Sequence, residues 1–259
     1  MRSKFKVQGP RLNSRPFVFL NAAMSADGKL ALATGPFASF GSKRDEALLY
    51  DLRARADAVM CGARTIDASP IKLGPGPAQF RGLRLRRGLA EYSVRIIVSG
   101  SGSVSPAAEI FKHRFSPILV LTTERAGKKR LAQLRQLADE VRICGEKEID
   151  FGAALRGLRK DWGIRQLLCE GGGELNAALL LAGLVDEVYV TICPMVFGGR
   201  NAPTLAGGAG VACLADALKL ELESSRRAGD EMFLCYRVRR PRRTGRAACL
   251  TLQEPVTKQ

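Results

Sequence analysis

The chain has 259 residues, of which 46% are hydrophobic and 25% are charged, and its formal net charge is +16. A chain of this length and apolar content can bury the core of one α/β domain. No apolar run reaches the roughly 18 residues that span a membrane, and the basic N-terminus lacks the apolar stretch that a secretory signal requires. We therefore expect a cytoplasmic protein.

The first third of the chain predicts two strands, one helix and a long loop. An apolar β run covers 17–20, and a second strand covers 58–61. Between them, Ser42 is the predicted N-cap of a helix that reaches about Ala56, because two acids follow it in the first turn. Residues 70–88 are rich in proline, glycine and arginine and are predicted to form a long loop, a feature that is usually functional or disordered.

The rest of the chain first alternates strands with helices and then loses its helices. The alternating part predicts strands at 94–99, 118–122, 140–143 and 166–169 and helices at 124–137, 150–160 and 174–182. Three more strands follow directly, at 185–192, 218–223 and 232–239. This order predicts an α/β fold with a mostly parallel central sheet, helices on both faces and an antiparallel C-terminal edge. We expect one domain at 16–240 between basic tails at 1–15 and 241–259.

A glycine turn is the most informative motif. Residues 167–176 read LLCEGGGELN, which predicts a buried strand, a turn of three glycines and the start of a helix. The free N–H groups at that helix start favour an anion such as a nucleotide phosphate. A plain structural bend is an equally good interpretation of the segment by itself. The motif is not the dinucleotide fingerprint G-x-G-x-x-G, so a standard Rossmann site is disfavoured.

Five motifs in register resemble the pyrimidine reductase of riboflavin biosynthesis, the reductase domain of the bifunctional deaminase/reductase, whose fold is similar to dihydrofolate reductase. The resemblance covers about residues 15–238. The matching segments are Met24-Ser25-x-Asp27-Gly28-Lys29, Leu52-Arg53-Ala54-x-Ala56-Asp57-Ala58-Val59, Gly62-x-x-Thr65, Glu170-Gly171-Gly172-x-x-Leu175 and Gly183-Leu184-Val185-Asp186-Glu187.

The resemblance implies an NADPH-dependent reductase. The cofactor supplies a hydride to C1′ of a ribosylamino-pyrimidine phosphate, while the protein aligns the two carbons. The residues implied to bind the cofactor are Ala22, Ala23, Thr65, Ser69, Gly171, Gly172, Gly173, Glu174 and Leu175. Asp27 and Glu170 are implied as catalytic, Arg53 and Lys72 as substrate-binding, and no metal is implied.

Each charged candidate also has a structural interpretation. Glu170 ends a buried strand, where it could accept hydrogen bonds from pyrimidine amino groups or cap a neighbouring backbone turn. Asp27 before Gly28 is by default a turn residue. Arg53, near the end of a helix, favours the negative end of the helix dipole in any case.

One segment departs from the pattern of the family. After Thr65 the family usually shows an acidic Asp-Asp-Pro-x-Leu-Thr-x-Arg run, whereas residues 66–73 read IDASPIKL. Lys72 or an arginine from 81–87 could supply the missing phosphate contact, although lysine lacks the planar fork of arginine. We favour the deaminated uracil as the substrate. Two alternatives stay open, its 2,5-diamino precursor and another heterocycle reduced by a paralogue.

The positive charge supports a second, non-enzymatic hypothesis. Basic residues cluster at 1–15, at Arg81, Arg84, Arg86 and Arg87, and at 237–246. Such clusters usually mark solvated surfaces, and no aromatic residues interleave with them as a single-strand binding platform needs. Nucleic-acid binding therefore ranks below the enzyme. Because strands 185–192 and 232–239 are candidates for an exposed edge, we expect a homodimer.

The spacing of the cysteines and the single histidine exclude a zinc deaminase. The seven cysteines are odd in number, none forms C-x-x-C, and the sequence has one histidine, His113. The deaminase partner of the bifunctional proteins needs an H-x-E and P-C-x-x-C signature. We expect neither a zinc site nor a disulfide framework, and the reductase would stand alone.

Overall fold

A computed structural model of the protein describes residues 14–34 and 38–239. Its centre is a nine-stranded sheet with the order β5-β4-β3-β2-β6-β1-β7-β9-β8. The strands are β1 (Phe17–Ser25), β2 (Ala58–Gly62), β3 (Val94–Val98), β4 (Ile118–Thr122), β5 (Glu140–Ile143), β6 (Gln166–Cys169), β7 (Glu187–Cys193), β8 (Lys219–Ala228) and β9 (Glu231–Arg239). None of the helices in the described ranges is long and apolar enough to cross a membrane.

Seven α-helices cover the two faces of this sheet within the described residues. They are α1 (Lys43–Arg53), α2 (Ala63–Ala68), α3 (Ala78–Arg86), α4 (Glu109–Lys112), α5 (Gly127–Leu137), α6 (Phe151–Trp162) and α7 (Gly173–Leu181). Side chains of α6 and α7 pack into the core on one face. Side chains of α1, α2, α4 and α5 pack into the core on the other face.

The strand pairing confirms the predicted fold class. β1 to β7 pair in parallel, whereas β9 pairs antiparallel with both β7 and β8. A strand covered on both faces must be apolar along its whole length, and all five residues of β4 are buried. The mostly parallel sheet with an antiparallel C-terminal edge therefore follows from apolar runs that are already visible in the sequence.

Local capping residues fix where the helices next to the sheet begin. The Ser42 hydroxyl accepts hydrogen bonds from the backbone N–H groups of Arg44 (3.1 Å) and Asp45 (3.4 Å), which confirms the predicted N-cap of α1. Asp150 caps α6 in the same way through Ala153 N (2.8 Å). Each cap satisfies N–H groups that have no partner inside the helix.

The predicted long loop at 70–88 is wrong in its second half, because residues 78–86 form α3. The sequence signal is weak there, since the side chain that α3 buries most deeply is Arg84 and not an apolar residue. The Arg84 guanidinium donates to the carbonyl oxygens of Arg53 (2.7 Å), Ala56 (2.5 Å) and Ala90 (2.8 Å). The place of Arg84 in the 81–87 cluster suggested a solvated basic surface, but its side chain is buried and does not belong to one.

The prediction that β7 and β9 are exposed edges is also wrong. β7 lies between β1 and β9, and β9 lies between β7 and β8, so both strands are paired on each side. The edge strand at this end of the sheet is β8, whose residues 219–227 are all exposed. The hydrophobic period and the composition of a segment do not reveal the order of strands in a sheet. The sequence of the C-terminal strands therefore could not show which of them lies at the edge.

The proposed tails lie mainly outside the described residues. Arg15, at the end of the N-terminal segment, is described and donates two hydrogen bonds to the Asp186 carboxylate (2.8 and 2.9 Å). This residue therefore belongs to the domain and not to a tail. The six described cysteines are free thiols.

Candidate active site

One large cavity follows the carboxyl-terminal ends of the parallel strands. Its volume is about 2180 Å³, and residues from the ends of β1, β2, β3 and β6 line it. Open α/β sheets bind their ligands in this position. Because ligand cavities commonly measure about 300–1,000 Å³, the space suffices for two ligands side by side.

The glycine turn between β6 and α7 forms the middle of the cavity wall. A side chain at Gly173 would collide with the carbonyl oxygen of Thr204, and a Cβ atom at Gly172 would lie 2.9 Å from Thr65 Oγ1. The Gly171–Gly172 peptide bond is cis, and Gly171 has a φ of 84°. Only glycine lets the backbone approach its surroundings this closely. The turn therefore presents bare backbone to the cavity.

The start of α7 fits an anion. Its N-cap is Gly172, which provides no side-chain hydrogen bond to the first turn. The N–H groups of that turn are consequently left to solvent or to a ligand, and the helix dipole favours a negative charge there. The cradle that Cβ atoms would fill and the uncapped helix start together fit the pyrophosphate of a dinucleotide.

Two neighbouring segments hold the turn in place. Gly62 N donates to Gly171 O (2.7 Å), so the end of β2 touches the turn directly. On the other side, Gly207 N donates to Gly173 O (2.9 Å). The buried Asn176 donates to Leu205 O (2.9 Å), which ties the same loop to α7.

Arg53 and Glu170 form an ion pair with little solvent exposure on the wall of the cavity. The Arg53 guanidinium donates through Nε and Nη2 to the two Glu170 oxygens, both at 2.6 Å, and through Nη1 to Gly74 O at 2.7 Å. Burial by itself would lower the pKa of Arg53, but the Glu170 charge and hydrogen bonds outweigh it and raise that pKa above its usual value. Arg53 is therefore held in its charged form, and the Glu170 side chain is bound by Arg53 and does not cap a backbone turn.

Aromatic side chains extend the wall beyond this pair. Arg53 lies over the Tyr50 ring, 5.7 Å from its centroid. The Phe115 and Tyr92 rings are 5.1 Å apart, and Arg81 donates to the Tyr92 hydroxyl at 3.1 Å. All five residues line the cavity, so a planar ligand would meet rings and cations at this end.

Asp27 is not among the residues that line the cavity. Its carboxylate accepts hydrogen bonds from Ser25 Oγ (2.6 Å), Phe197 N (3.0 Å) and Gly198 N (2.8 Å). These hydrogen bonds lower the pKa of Asp27 to about 2, and the bond from Ser25 has the largest effect. The carboxylate joins the turn after β1 to the loop after β7, as its structural interpretation as a turn residue predicts.

The other predicted site residues lie on the cavity wall. The cavity is lined by Ala22, Ala23, Thr65, Ser69, Lys72, Gly171, Gly172, Gly173, Glu174 and Leu175. Glu174 forms an exposed ion pair with Arg64 at the rim. Ser69 donates its hydroxyl proton to Thr65 O at 2.9 Å, so it supports α2.

Sequence reasoning missed other parts of the wall. The segment Ser99–Gly100–Ser101 follows β3 and lines the cavity beyond the glycine turn, together with Arg125 and Lys147. A search for polar residues just after each predicted parallel strand would have found this segment. Asn21 and Asp45, which also line the cavity, carry no motif that marks them in the sequence.

The sequence matches a known family over most of its length. Residues 16–234 match the family described as the RibD C-terminal domain. The 2,5-diamino-6-ribosylamino-4(3H)-pyrimidinone 5′-phosphate reductase of Methanothermobacter thermautotrophicus is 36% identical over 225 residues, which cover 87% of this chain and 99% of that protein. The Aquifex aeolicus protein of the same name is 32% identical over 228 residues, 86% of this chain and 97% of the relative.

A solved structure supports the same fold. RibD of Acinetobacter baumannii superposes with a TM-score of 0.69 at 22% identity, over 88% of this chain and 59% of that chain. This likeness confirms the dihydrofolate-reductase-like architecture that the sequence motifs implied.

Proposed function

The chain belongs to the RibD C-terminal domain family, and from this premise we propose that it is a pyrimidine reductase of riboflavin biosynthesis. The observation that carries the proposal is that one cavity holds both an anion cradle at the glycine turn and a charged, buried Arg53–Glu170 pair. A reductase needs room for a dinucleotide and a substrate with their reacting carbons adjacent. The relatives reported above give no support to another heterocycle or to a nucleic-acid partner.

The proposed substrate is 2,5-diamino-6-ribosylamino-4(3H)-pyrimidinone 5′-phosphate. Both relatives reported above carry this substrate in their names, and the chain matches nearly their whole length. This replaces the deaminated uracil that the sequence analysis favoured. The two compounds differ in one ring substituent, an amino group in the first and a carbonyl in the second.

The proposed cofactor is NADPH, which would supply the hydride. Gly171, Gly172 and Gly173 would hold its pyrophosphate against the start of α7, with Thr65 beside them. Ala22 and Ala23 on β1 would leave space for the flat nicotinamide ring, because their side chains are small. Arg125 and Lys147 at the far end of the cavity offer positive charge for a 2′-phosphate.

The proposed work of the protein at the substrate end is binding and orientation. Arg53 and Glu170 would fix the pyrimidine, and the exposed Lys72 would neutralise the ribose phosphate as a point charge. Glu170 would contact the substrate with the lone pairs that Arg53 leaves free. We propose that Asp27 acts indirectly, by holding the turn that ends β1 next to these residues.

Measurement of pyrimidine turnover tests the proposal. We expect purified protein to oxidise NADPH when the diamino substrate is added, and to do so more slowly with the deaminated uracil. Calorimetric titration with NADPH and NADH separates the cofactor assignment from the substrate assignment. A protein that binds NADPH but turns over neither pyrimidine would refute the riboflavin assignment.

We also propose that the protein is a cytoplasmic homodimer. The exposed edge strand β8 carries Leu220 and Leu222, with 40% and 53% of their surface exposed, and such an edge is usually paired or covered. Pairing of two β8 strands about a twofold axis would bury both leucines. Light scattering that finds only a 28.0 kDa species at micromolar concentration would contradict the dimer.

A further inference from the structure

Arg84 on α3 is a buried cation that the proposed binding of the two ligands does not use. Only 1% of its surface is exposed, and it is not among the residues that line the cavity. Its hydrogen-bond partners in the described part of the chain are all backbone carbonyl oxygens. A buried charge is costly unless its surroundings compensate for the lost water, so these carbonyl groups are the reason that the charge is tolerated.

Two of the three carbonyl groups belong to the end of α1. Arg84 Nη1 donates to Arg53 O (2.7 Å) and to Ala56 O (2.5 Å), while Nε donates to Ala90 O (2.8 Å). The last carbonyl groups of a helix lack donors within the helix and carry the negative end of its dipole. Burial lowers the pKa of Arg84, and the charge of Asp57 opposes part of this change. Arg84 thus serves as a charged cap for α1.

The residue at this cap is Arg53, which is consequently held at both of its ends. Its carbonyl oxygen accepts from Arg84, and its guanidinium donates to both oxygens of Glu170 at 2.6 Å and to Gly74 O at 2.7 Å. A bidentate pair of this kind needs a fixed geometry. Because helices fray at their ends, the contact at the carbonyl oxygen decides how precisely the guanidinium is placed.

A second contact holds α3 against the same part of α1. The Phe80 and Tyr50 rings lie 5.4 Å apart, and the Arg53 guanidinium lies 5.7 Å from the centroid of the same Tyr50 ring. Phe80 precedes Arg84 by four residues, so the two side chains share one face of α3. This face of α3 therefore supports the turn of α1 that carries Arg53.

From these contacts we infer that Arg84 is a positioning residue of the proposed reaction. It fixes the end of α1 so that the Arg53 guanidinium meets Glu170 and the pyrimidine in one geometry. The inference rests on the proposed function, in which Arg53 and Glu170 bind the substrate. Arg84 acts through Arg53 and touches neither ligand. Misplacement of a binding group by about 1 Å can lower the rate on the order of 100-fold.

The substitution Arg84→Met removes the cap and keeps an apolar side chain in its place. We expect kcat/KM for the pyrimidine to fall by about 10- to 100-fold, while the Kd for NADPH stays unchanged. Arg84→Lys keeps the charge without the planar fork, so its kcat/KM should lie between those of Arg84→Met and the wild type. Arg86→Met is the matched control, since Arg86 is exposed on the same helix, and both constants should remain as in the wild type.

A double-mutant cycle separates positioning from a general loss of structure. In a background that carries Arg53→Met and Glu170→Gln, Arg84 has no guanidinium left to place. Adding Arg84→Met to this background should therefore not lower kcat/KM further. An additive loss in the cycle, or an equal loss of pyrimidine and NADPH binding in the single variant, overturns the inference.

The Nε–H proton of Arg53 gives a readout that does not depend on turnover. Bound to Glu170, this proton should exchange slowly with water in NMR spectra, and Arg84→Met should accelerate the exchange. Wild-type protein that turns over neither pyrimidine refutes the proposed function, whereas unchanged exchange in Arg84→Met overturns the link between the two arginines. Should Arg84→Met fail to fold by circular dichroism, Arg84→Lys takes its place, and wild-type exchange and kcat/KM in that variant overturn the inference.

Discussion

The two ends of the cavity are built from different parts of the chain. At the end where we propose that the cofactor binds, the wall is backbone, and Gly172 and Gly173 lie so close to Thr65 and Thr204 that a side chain would collide. At the end where we propose that the substrate binds, the wall includes charged side chains, with Arg53 and Glu170 brought together from positions 117 residues apart. Substitutions should therefore act differently at the two ends. Added volume should damage the first end, and lost charge should damage the second.

The largest effect is expected for Glu170→Gln at the charged end. The variant leaves Arg53 buried with no opposite charge, which typically costs about 3–5 kcal/mol of stability. Urea unfolding measures this loss. Activity should fall with it, whereas the affinity for NADPH should change little if the variant stays folded.

The double variant Arg53→Met, Glu170→Gln is the control for that loss. It removes the buried charge altogether, so much of the stability should return while activity does not. A single variant as stable as the wild type would show that Arg53 does not depend on Glu170.

Gly173→Ala tests the backbone-built end and should have the next largest effect. The added methyl group meets the Thr204 carbonyl, and overpacking of this kind commonly costs about 1–3 kcal/mol. We expect the affinity for NADPH to fall while binding of the pyrimidine is retained, as calorimetry can measure. Gly183→Ala, where a Cβ atom would meet no atom within 4 Å but φ is 65°, controls for backbone strain without crowding. Equal loss of cofactor binding in both glycine variants would contradict the close-packing explanation.

A smaller effect is expected for Thr65→Val, which keeps the volume and removes one hydroxyl beside Gly172. A neutral hydrogen bond contributes about 0.5–1.5 kcal/mol, so the Kd for NADPH should rise by up to about tenfold. The Kd for the pyrimidine should stay constant. If the pyrimidine is affected more than NADPH, the division of the cavity into two ends is wrong.

The smallest effect is expected at Asp27, outside both ends. Its pKa is lowered from 3.8 to about 2, so its hydrogen bonds stabilise the folded state fully above the unfolded pKa. That contribution is lost as the pH falls through the folded pKa. Urea midpoints of wild type and Asp27→Asn should therefore differ by a constant amount at neutral pH and converge near pH 2. A difference that persists at the lowest pH would show that the carboxylate charge is not responsible.

The strands were predicted better than the connections between them. Strands β4, β5 and β6 have the bounds that their apolar runs predict. Helix α3 was missed because the side chain that it buries, Arg84, is charged. The hydrogen bonds of Arg84 to backbone carbonyls cannot be predicted from a local sequence pattern. A strand was predicted at 218–223, but its place at the edge of the sheet was missed, because the pairing partner of a strand is chosen by the whole sheet and not by local composition.

The alternation of strands and helices, the family resemblance and the glycine turn could all be predicted from the sequence, because each of them depends on residues that are close together in the chain. Only folding brings Glu170 to Arg53 and lets Asp27 hold two loops together. Such contacts join residues from different elements, and their charges and pKa values depend on burial and neighbours that only folding creates.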